Sequence, residues 1–138
     1  MSLSFHHLGI ATRDGADLAV TFEGLLDAPV AHEETFDGMT VRFLELDRGF
    51  FELLEPRKEG TIARYLDRNG PGIHHDALRT DDIAAALERA RDLGIDLVDA
   101  EPRLGAWGHE VAFLHPGSTG GVLVEFVAAD GHGSNRTV

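Results

Sequence analysis

A chain of 138 residues with 43% hydrophobic content and no cysteine can bury one good core or two small fused modules, and it excludes disulfide frameworks, thiolate metal sites and cysteine nucleophiles. A net charge of -12 excludes nucleic acid and anionic membranes as partners, because both would be repelled by such a surface. No apolar run approaches the roughly 20 residues that cross a bilayer, and Met1-Ser2-Leu3-Ser4 lacks the regions of a signal peptide, so a cytoplasmic protein is expected. Of the 12 basic residues only Lys58 is lysine, while aspartate recurs at Asp14, Asp17, Asp27, Asp37, Asp92, Asp96 and Asp99. Molar salt would screen the self-repulsion of that surface, and the composition is that expected of a high-salt habitat.

In chain order, Ser4 to Ala11 alternates as a strand, Asp14-Gly15-Ala16-Asp17 supplies turn and capping residues, and Leu18 to Leu26 has helical periodicity. Pro29 to Glu34, Met39 to Leu46 and Gly49 to Glu55 read as three further strands, separated by turns at Phe36-Asp37-Gly38 and Asp47-Arg48-Gly49. The first module, about residues 4–56, is therefore βαβββ. A connector over 57–71 carries a short helix, Ile62 to Arg68, and breaks at Asn69-Gly70-Pro71-Gly72. The second module, about residues 72–128, repeats the plan with a strand at Ile73 to Arg79 and a helix from Ile83 to Leu93, capped by Asp81-Asp82 and ended by Gly94. Strands at Ile95 to Val98, Glu110 to Leu114 and Val122 to Val127 follow. A tail over 129–138, with the run from Asp130 to Asn135, is expected to be disordered. The fold class is α+β: one domain in which two βαβββ modules pair into a curved mixed sheet enclosing a metal-binding cleft.

One short pattern occurs twice, and it outlines the chemistry. Phe5-His6-His7-Leu8-Gly9 opens the first module and Ile73-His74-His75-Asp76-Ala77 the second. Each module later runs an apolar strand around one glutamate, Phe51-Glu52-Leu53-Leu54 and Val124-Glu125-Phe126-Val127. The spacing is 45 residues from His7 to Glu52 and 50 from His75 to Glu125, so a duplicated unit would bring two imidazoles and two carboxylates to a shared centre. Side chains alternate along a strand, which lets one histidine of each pair line the cleft. The small Gly9 and Ala77 leave room beside His7 and His75. A carboxylate inside an apolar strand costs several kcal/mol unless something positive neutralises it. A divalent metal with nitrogen and oxygen ligands does so, and cobalt, manganese, nickel, iron and zinc all suit that donor set. The alternative is a salt bridge to a buried arginine such as Arg42 or Arg79.

These residues resemble the vicinal oxygen chelate superfamily and, within it, the methylmalonyl-CoA epimerase family, from Phe5 to Val127. The resemblance is carried by His7-Leu8-Gly9-Ile10-Ala11, Phe51-Glu52-Leu53-Leu54-Glu55-Pro56, Gly72-Ile73-His74-His75, Glu101-Pro102-Arg103-Leu104-Gly105, Phe113-Leu114-His115-Pro116 and the run from Ser118 to Glu125. It implies a divalent metal, cobalt first, with manganese, nickel or zinc as alternatives, held by His7, Glu52, His75 and Glu125. It also implies a CoA thioester as partner, substrate contacts from Arg103, His115 and Ser118, and a homodimer. Two departures stand out. Gly117 follows His115-Pro116 where the family often has lysine, so a contact to a CoA phosphate is absent or falls to Arg103 or Lys58. Asp76 follows His75 where the family is usually apolar.

The resemblance further implies metal-assisted removal of the C2 proton of a 2-methylmalonyl thioester, with the enolate stabilised by chelation, and return of a proton on the opposite face. Glu125 is the first candidate for one of the two bases. Some family members carry a second glutamate where this chain has Val41, and Glu45 is the carboxylate that remains further along the same face. The alternative activity is that of a lactoylglutathione lyase, which stabilises an enediolate with a similar ligand set. A ring-cleaving dioxygenase is disfavoured by the fourth ligand Glu52, and a metal-free binding protein by the presence of all four ligands.

Overall fold

Short alternating strands and three helical runs dictate the element order, and the computed structural model describes it over residues 2–129. In chain order the described elements are β1 (Leu3–Ala11), α1 (Gly15–Leu26), β2 (Val30–Phe36), β3 (Met39–Glu45), β4 (Phe50–Pro56), α2 (Thr61–Asn69), β5 (Gly72–Thr80), α3 (Ile83–Asp92), β6 (Arg103–Leu104), β7 (Glu110–Phe113) and β8 (Val124–Ala128). The expected tail from Asp130 to Asn135 lies outside the described residues. No helix among those described is long and apolar enough to cross a membrane.

The chain divides into two compact units, one of His7–His74 and one of Met1–His6 with His75–Val138. In the His7–His74 unit the strand order is β2-β3-β4-β1. Its β2/β3 and β3/β4 pairs are antiparallel and its β1/β4 pair is parallel. The Asp37-Gly38 turn between β2 and β3 has positive φ at both residues, 52° and 77°, the backbone of a tight hairpin that matches strand twist. In the other unit the order is β5-β8-β7-β6, with β5/β8 parallel and β7/β8 and β6/β7 antiparallel. Each unit thus has the same parallel pair between its first and last strands. The mixed pairing and the α+β class are those expected.

Helices α1 and α3 each pack on the sheet of their own unit, on the face away from the candidate ligands. Ala19 of α1 joins Leu44 and Leu53, with Ile10, Leu18 and Phe22 around them. In α3, Ile83, Ala86, Leu87 and Ala90 make one apolar stripe at helical spacing and pack on Ala112, Leu114 and Phe126. The Asp82 side chain accepts from the Ala85 amide at 3.0 Å, the expected N-cap. At the start of β1, the Ser2 amide donates to Asp81 Oδ1 at 2.9 Å. That bond holds the Asp81 carboxyl below its usual range.

The strand expected at Ile95 to Val98 does not form. A single bridge, Leu97 to Leu114, replaces it, and the edge strand is instead the two-residue β6. The reason lies in Asp99. The amides of Val98 and Asp99 both donate to the Phe113 carbonyl, at 2.9 and 3.2 Å, while the Asp99 carboxylate takes the Phe113 N–H at 2.9 Å. A side chain thus satisfies the donor that a continuing ladder would have used.

Gly15, in the first turn of α1, shows how tightly this scaffold is built. A Cβ there would lie 2.1 Å from Arg42 Nη1 and 2.7 Å from Glu55 Oε1, atoms that pair with each other at 2.7 Å. Gly→Ala in a helix ordinarily stabilises by about 1 kcal/mol. Here the sign reverses, because the methyl group displaces a largely buried guanidinium. Gly15→Ala is expected to lower stability by about 1 kcal/mol or more in urea unfolding; an increase would show that Arg42 moves aside without loss.

Candidate metal centre

In the His7–His74 unit, β1 and β4 run parallel with Gly9 opposite Glu52. This register sets Glu52 beside the residue two positions on from His7, so both side chains leave the same face of the sheet. His7 Nε2 lies 3.1 Å from Glu52 Oε1, with the side chains only 4% and 7% exposed. Across the antiparallel β3/β4 pair, Phe43 stands opposite Glu52. Its ring meets the His7 imidazole edge-on at 5.6 Å between centroids.

The other unit repeats this arrangement. Ala77 stands opposite Glu125 in the parallel β5/β8 pair, again two positions on from the histidine. His75 Nε2 lies 3.1 Å from Glu125 Oε1, with side chains 5% and 8% exposed. Phe113 stands opposite Glu125 on β7, and its ring meets His75 edge-on at 5.4 Å. In each unit one aromatic ring thus buttresses one imidazole from the strand neighbouring the carboxylate. The contact fixes the ring plane, and so the direction of its nitrogen lone pair.

The arginine alternative for Glu52 fails on geometry. Arg42 stands opposite Leu53, one residue out of phase with Glu52, and it reaches Glu55 at 2.7 Å and Glu33 at 3.5 Å on the opposite face. Imidazole nitrogen and carboxylate oxygen held 3.1 Å apart inside an apolar layer share a proton or a cation. With no cysteine in the chain, the set fits a divalent metal that accepts nitrogen and oxygen ligands. His7, His75 and Glu125 are of the types and depth of burial such an ion takes.

The first histidine of each pair has other neighbours. His6 is buried and its ring lies 5.6 Å from that of His109. His74 sits edge-on to Tyr65 at 4.8 Å, and the Tyr65 hydroxyl donates to the Ile73 carbonyl at 2.8 Å. Asp76 is half-buried on β5, and its amide donates to the Leu123 carbonyl.

The expected substrate contacts divide. Arg103 donates from Nε to Asp99 at 3.0 Å and places its guanidinium 5.6 Å from the centre of the Phe113 ring. Opposite Val111 in the β6/β7 pair, it shares the side of the sheet that carries Phe113. His115 and Ser118 are engaged with backbone. His115 Nδ1 accepts from the Gly117 amide at 3.0 Å, and Ser118 Oγ accepts from the Asp96 amide at 3.0 Å. Sequence reasoning missed Phe43 and Phe113. A signal existed, since the dipeptide Phe-Leu recurs at 43–44 and 113–114, one in each half and each on the strand ahead of the glutamate.

The chain belongs to the glyoxalase/bleomycin resistance protein/dioxygenase superfamily, whose family model matches residues 6–113. Within that superfamily its similarity runs to epimerases of acyl-CoA thioesters. It is 38% identical over 125 residues to the ethylmalonyl-CoA/methylmalonyl-CoA epimerase of Cereibacter sphaeroides, covering 87% of this chain and 93% of that one. The crystal structure of methylmalonyl-CoA epimerase from Mycobacterium tuberculosis superposes with a TM-score of 0.85 at 33% identity, over 90% of this chain and 86% of that one. A variant of the Streptomyces coelicolor methylmalonyl-CoA epimerase, solved in complex with 2-nitronate-propionyl-CoA, superposes with a TM-score of 0.89 at 31% identity, over 94% and 97%.

Phe43 is 2% exposed and touches His7, so its truncation tests both packing and orientation. Phe43→Ala is expected to cost about 3 kcal/mol or more in urea unfolding, in line with other buried aromatic deletions. A loss below about 1 kcal/mol would mean that the ring is not packed as described.

Proposed function

We propose that this chain is a metal-dependent isomerase that interconverts the two C2 epimers of methylmalonyl-CoA. The observation that carries the reading is the duplicated pair, His7 with Glu52 and His75 with Glu125, each buried and each at 3.1 Å. Similarity to methylmalonyl-CoA epimerases over 87% of the chain or more supports the substrate class and favours it over the lactoylglutathione lyase alternative. His7, Glu52, His75 and Glu125 would hold one divalent ion, with cobalt proposed first and manganese, nickel or zinc as alternatives. Such an ion, when bound, supplies the positive charge that makes a C–H between two carbonyl groups acidic.

The protein's own groups do the rest. The two histidines, locked by Phe43 and Phe113, keep neutral nitrogens directed into the site, and the two carboxylates offset the positive charge there. Glu125 takes the C2 proton on one face of the substrate or returns it, with the electron pair left on the thioester enolate in between. The apolar neighbours of both pairs keep water away from the carbanionic carbon. Arg103, held by Asp99 against the Phe113 ring, is the proposed cationic contact for the substrate carboxylate or a CoA phosphate. His115 and Ser118 are assigned a lesser part, because each already satisfies a backbone amide. A cytoplasmic homodimer completes the proposal.

The test is exchange of the C2 proton for deuterium in racemic methylmalonyl-CoA in heavy water, followed by NMR, with cobalt-loaded protein and again with chelator. Fast exchange that chelator abolishes is expected, and Glu125→Gln should slow inversion of configuration at C2 by about a hundredfold or more. Absence of exchange in protein shown to contain metal would contradict the assignment. Inversion in the Glu125→Gln protein at the wild-type rate would remove Glu125 as a base.

A further inference from the structure

Inversion at C2 needs two proton-transferring groups, and the ligand set accounts for one. Strand register in the His7–His74 unit points to the other. His32 of β2 stands opposite Phe43 of β3, which stands opposite Glu52 of β4. Directly opposite residues in antiparallel strands project from the same face. His32 therefore lies on the face that carries His7 and Glu52. Two positions along, Glu34 stands opposite Val41 and shares that face.

The two side chains are paired, with His32 Nε2 3.1 Å from Glu34 Oε1 and exposures of 28% and 27%. The Phe43 ring is their link to the ligands, lying 5.6 Å from the His7 ring on one side and 6.3 Å from the His32 ring on the other. Val41 is short and wholly buried, so the longer Glu34 chain can lie across it. Glu45, the carboxylate expected to remain on this face, stands opposite Phe50 at the end of β3 and is exposed.

We propose that Glu34, held by His32, is the second acid/base of the epimerisation. The proposal rests on the epimerase reading and adds to it a residue outside the ligand set. Glu34 is the proposed catalytic residue and His32 its positioning residue, which fixes one carboxylate oxygen and directs the other toward the substrate. In one direction the C2–H bond breaks on one face and its proton passes to the Glu34 carboxylate, while the electron pair stays on the enolate. A new C–H bond then forms on the opposite face with a proton from the Glu125 side. In the other direction the roles exchange. Partial exposure suits Glu34 to this task, because water must restore its protonation state between turnovers.

A two-base mechanism has a signature that a structural role lacks. Each C2 epimer is incubated separately in heavy water with metal-loaded Glu34→Gln protein, and inversion and deuterium incorporation are followed together. Inversion is expected to fall about a hundredfold or more, while one epimer still exchanges its C2 proton with retention of configuration, through Glu125. Inversion within about threefold of wild type would overturn the proposal. So would loss of exchange from both epimers in a protein whose thermal unfolding is unchanged. If the glutamine variant does not fold, Glu34→Asp keeps the charge beside His32 while withdrawing the carboxylate, and inversion slowed about tenfold or more is expected; inversion at the wild-type rate would overturn the assignment. Failure of the epimerase reading itself would show differently, as wild-type protein that exchanges neither epimer.

Discussion

Each half of this protein buries one carboxylate in the apolar layer of its sheet, and the surrounding structure answers to that cost. An uncompensated carboxylate at such depth destabilises by several kcal/mol. Glu52 and Glu125 are 5% and 6% exposed, and each is met by a histidine at 3.1 Å. The parallel pairing of first and last strands in each unit brings this about, since it sets the glutamate beside the residue two positions after the histidine. A phenylalanine on the next strand then fixes the imidazole. Carboxylate, imidazole and ring form one device, built twice, and the proposed chemistry follows from the need of that device for positive charge.

Much of this was legible in the sequence because the repeat carries it. The double histidine and the glutamate inside an apolar strand occur at matching places, and strand alternation already separated His7 from His6 and His75 from His74. Helix α3 was readable from its stripe and its Asp82 cap. The edge strand of the second unit was not. Ile95 to Val98 has strand composition, but the Asp99 side chain takes the Phe113 amide and ends the pairing, a competition between side chain and backbone that a local pattern does not display. The phenylalanine buttresses were written in the chain as a repeated Phe-Leu pair. They do not stand out, because large apolar residues on strands ordinarily signal only core. The nearness of His32 and Glu34 to the ligand face depends on the register of β2 against β3, with its irregularity between Val30 and His32.

The two units agree at their histidine–glutamate pairs and differ at their outer strands. In one, the seven-residue β2 offers a histidine–glutamate pair beside Phe43. In the other, the two-residue β6 offers Arg103 above Phe113. Epimerisation asks for such asymmetry. A substrate with one negative carboxylate needs a cation to orient it, and a carbon that gains its proton on the opposite face from the one it lost needs a base on only one side beyond the ligands. A duplicated fold thus repeats the histidine–glutamate pair, and divergence of its edge strands supplies different groups beside each copy.

The claim that both halves serve a single centre is tested most directly by metal stoichiometry. Metal-free protein would be titrated with cobalt in a calorimeter, the bound metal counted by elemental analysis, and the experiment repeated with His7→Ala and His75→Ala. The account predicts one ion per chain in the wild type and an affinity lowered by about a hundredfold or more in both variants. Two ions per chain in the wild type, with each variant keeping one at undiminished affinity, would show two separate sites and contradict it.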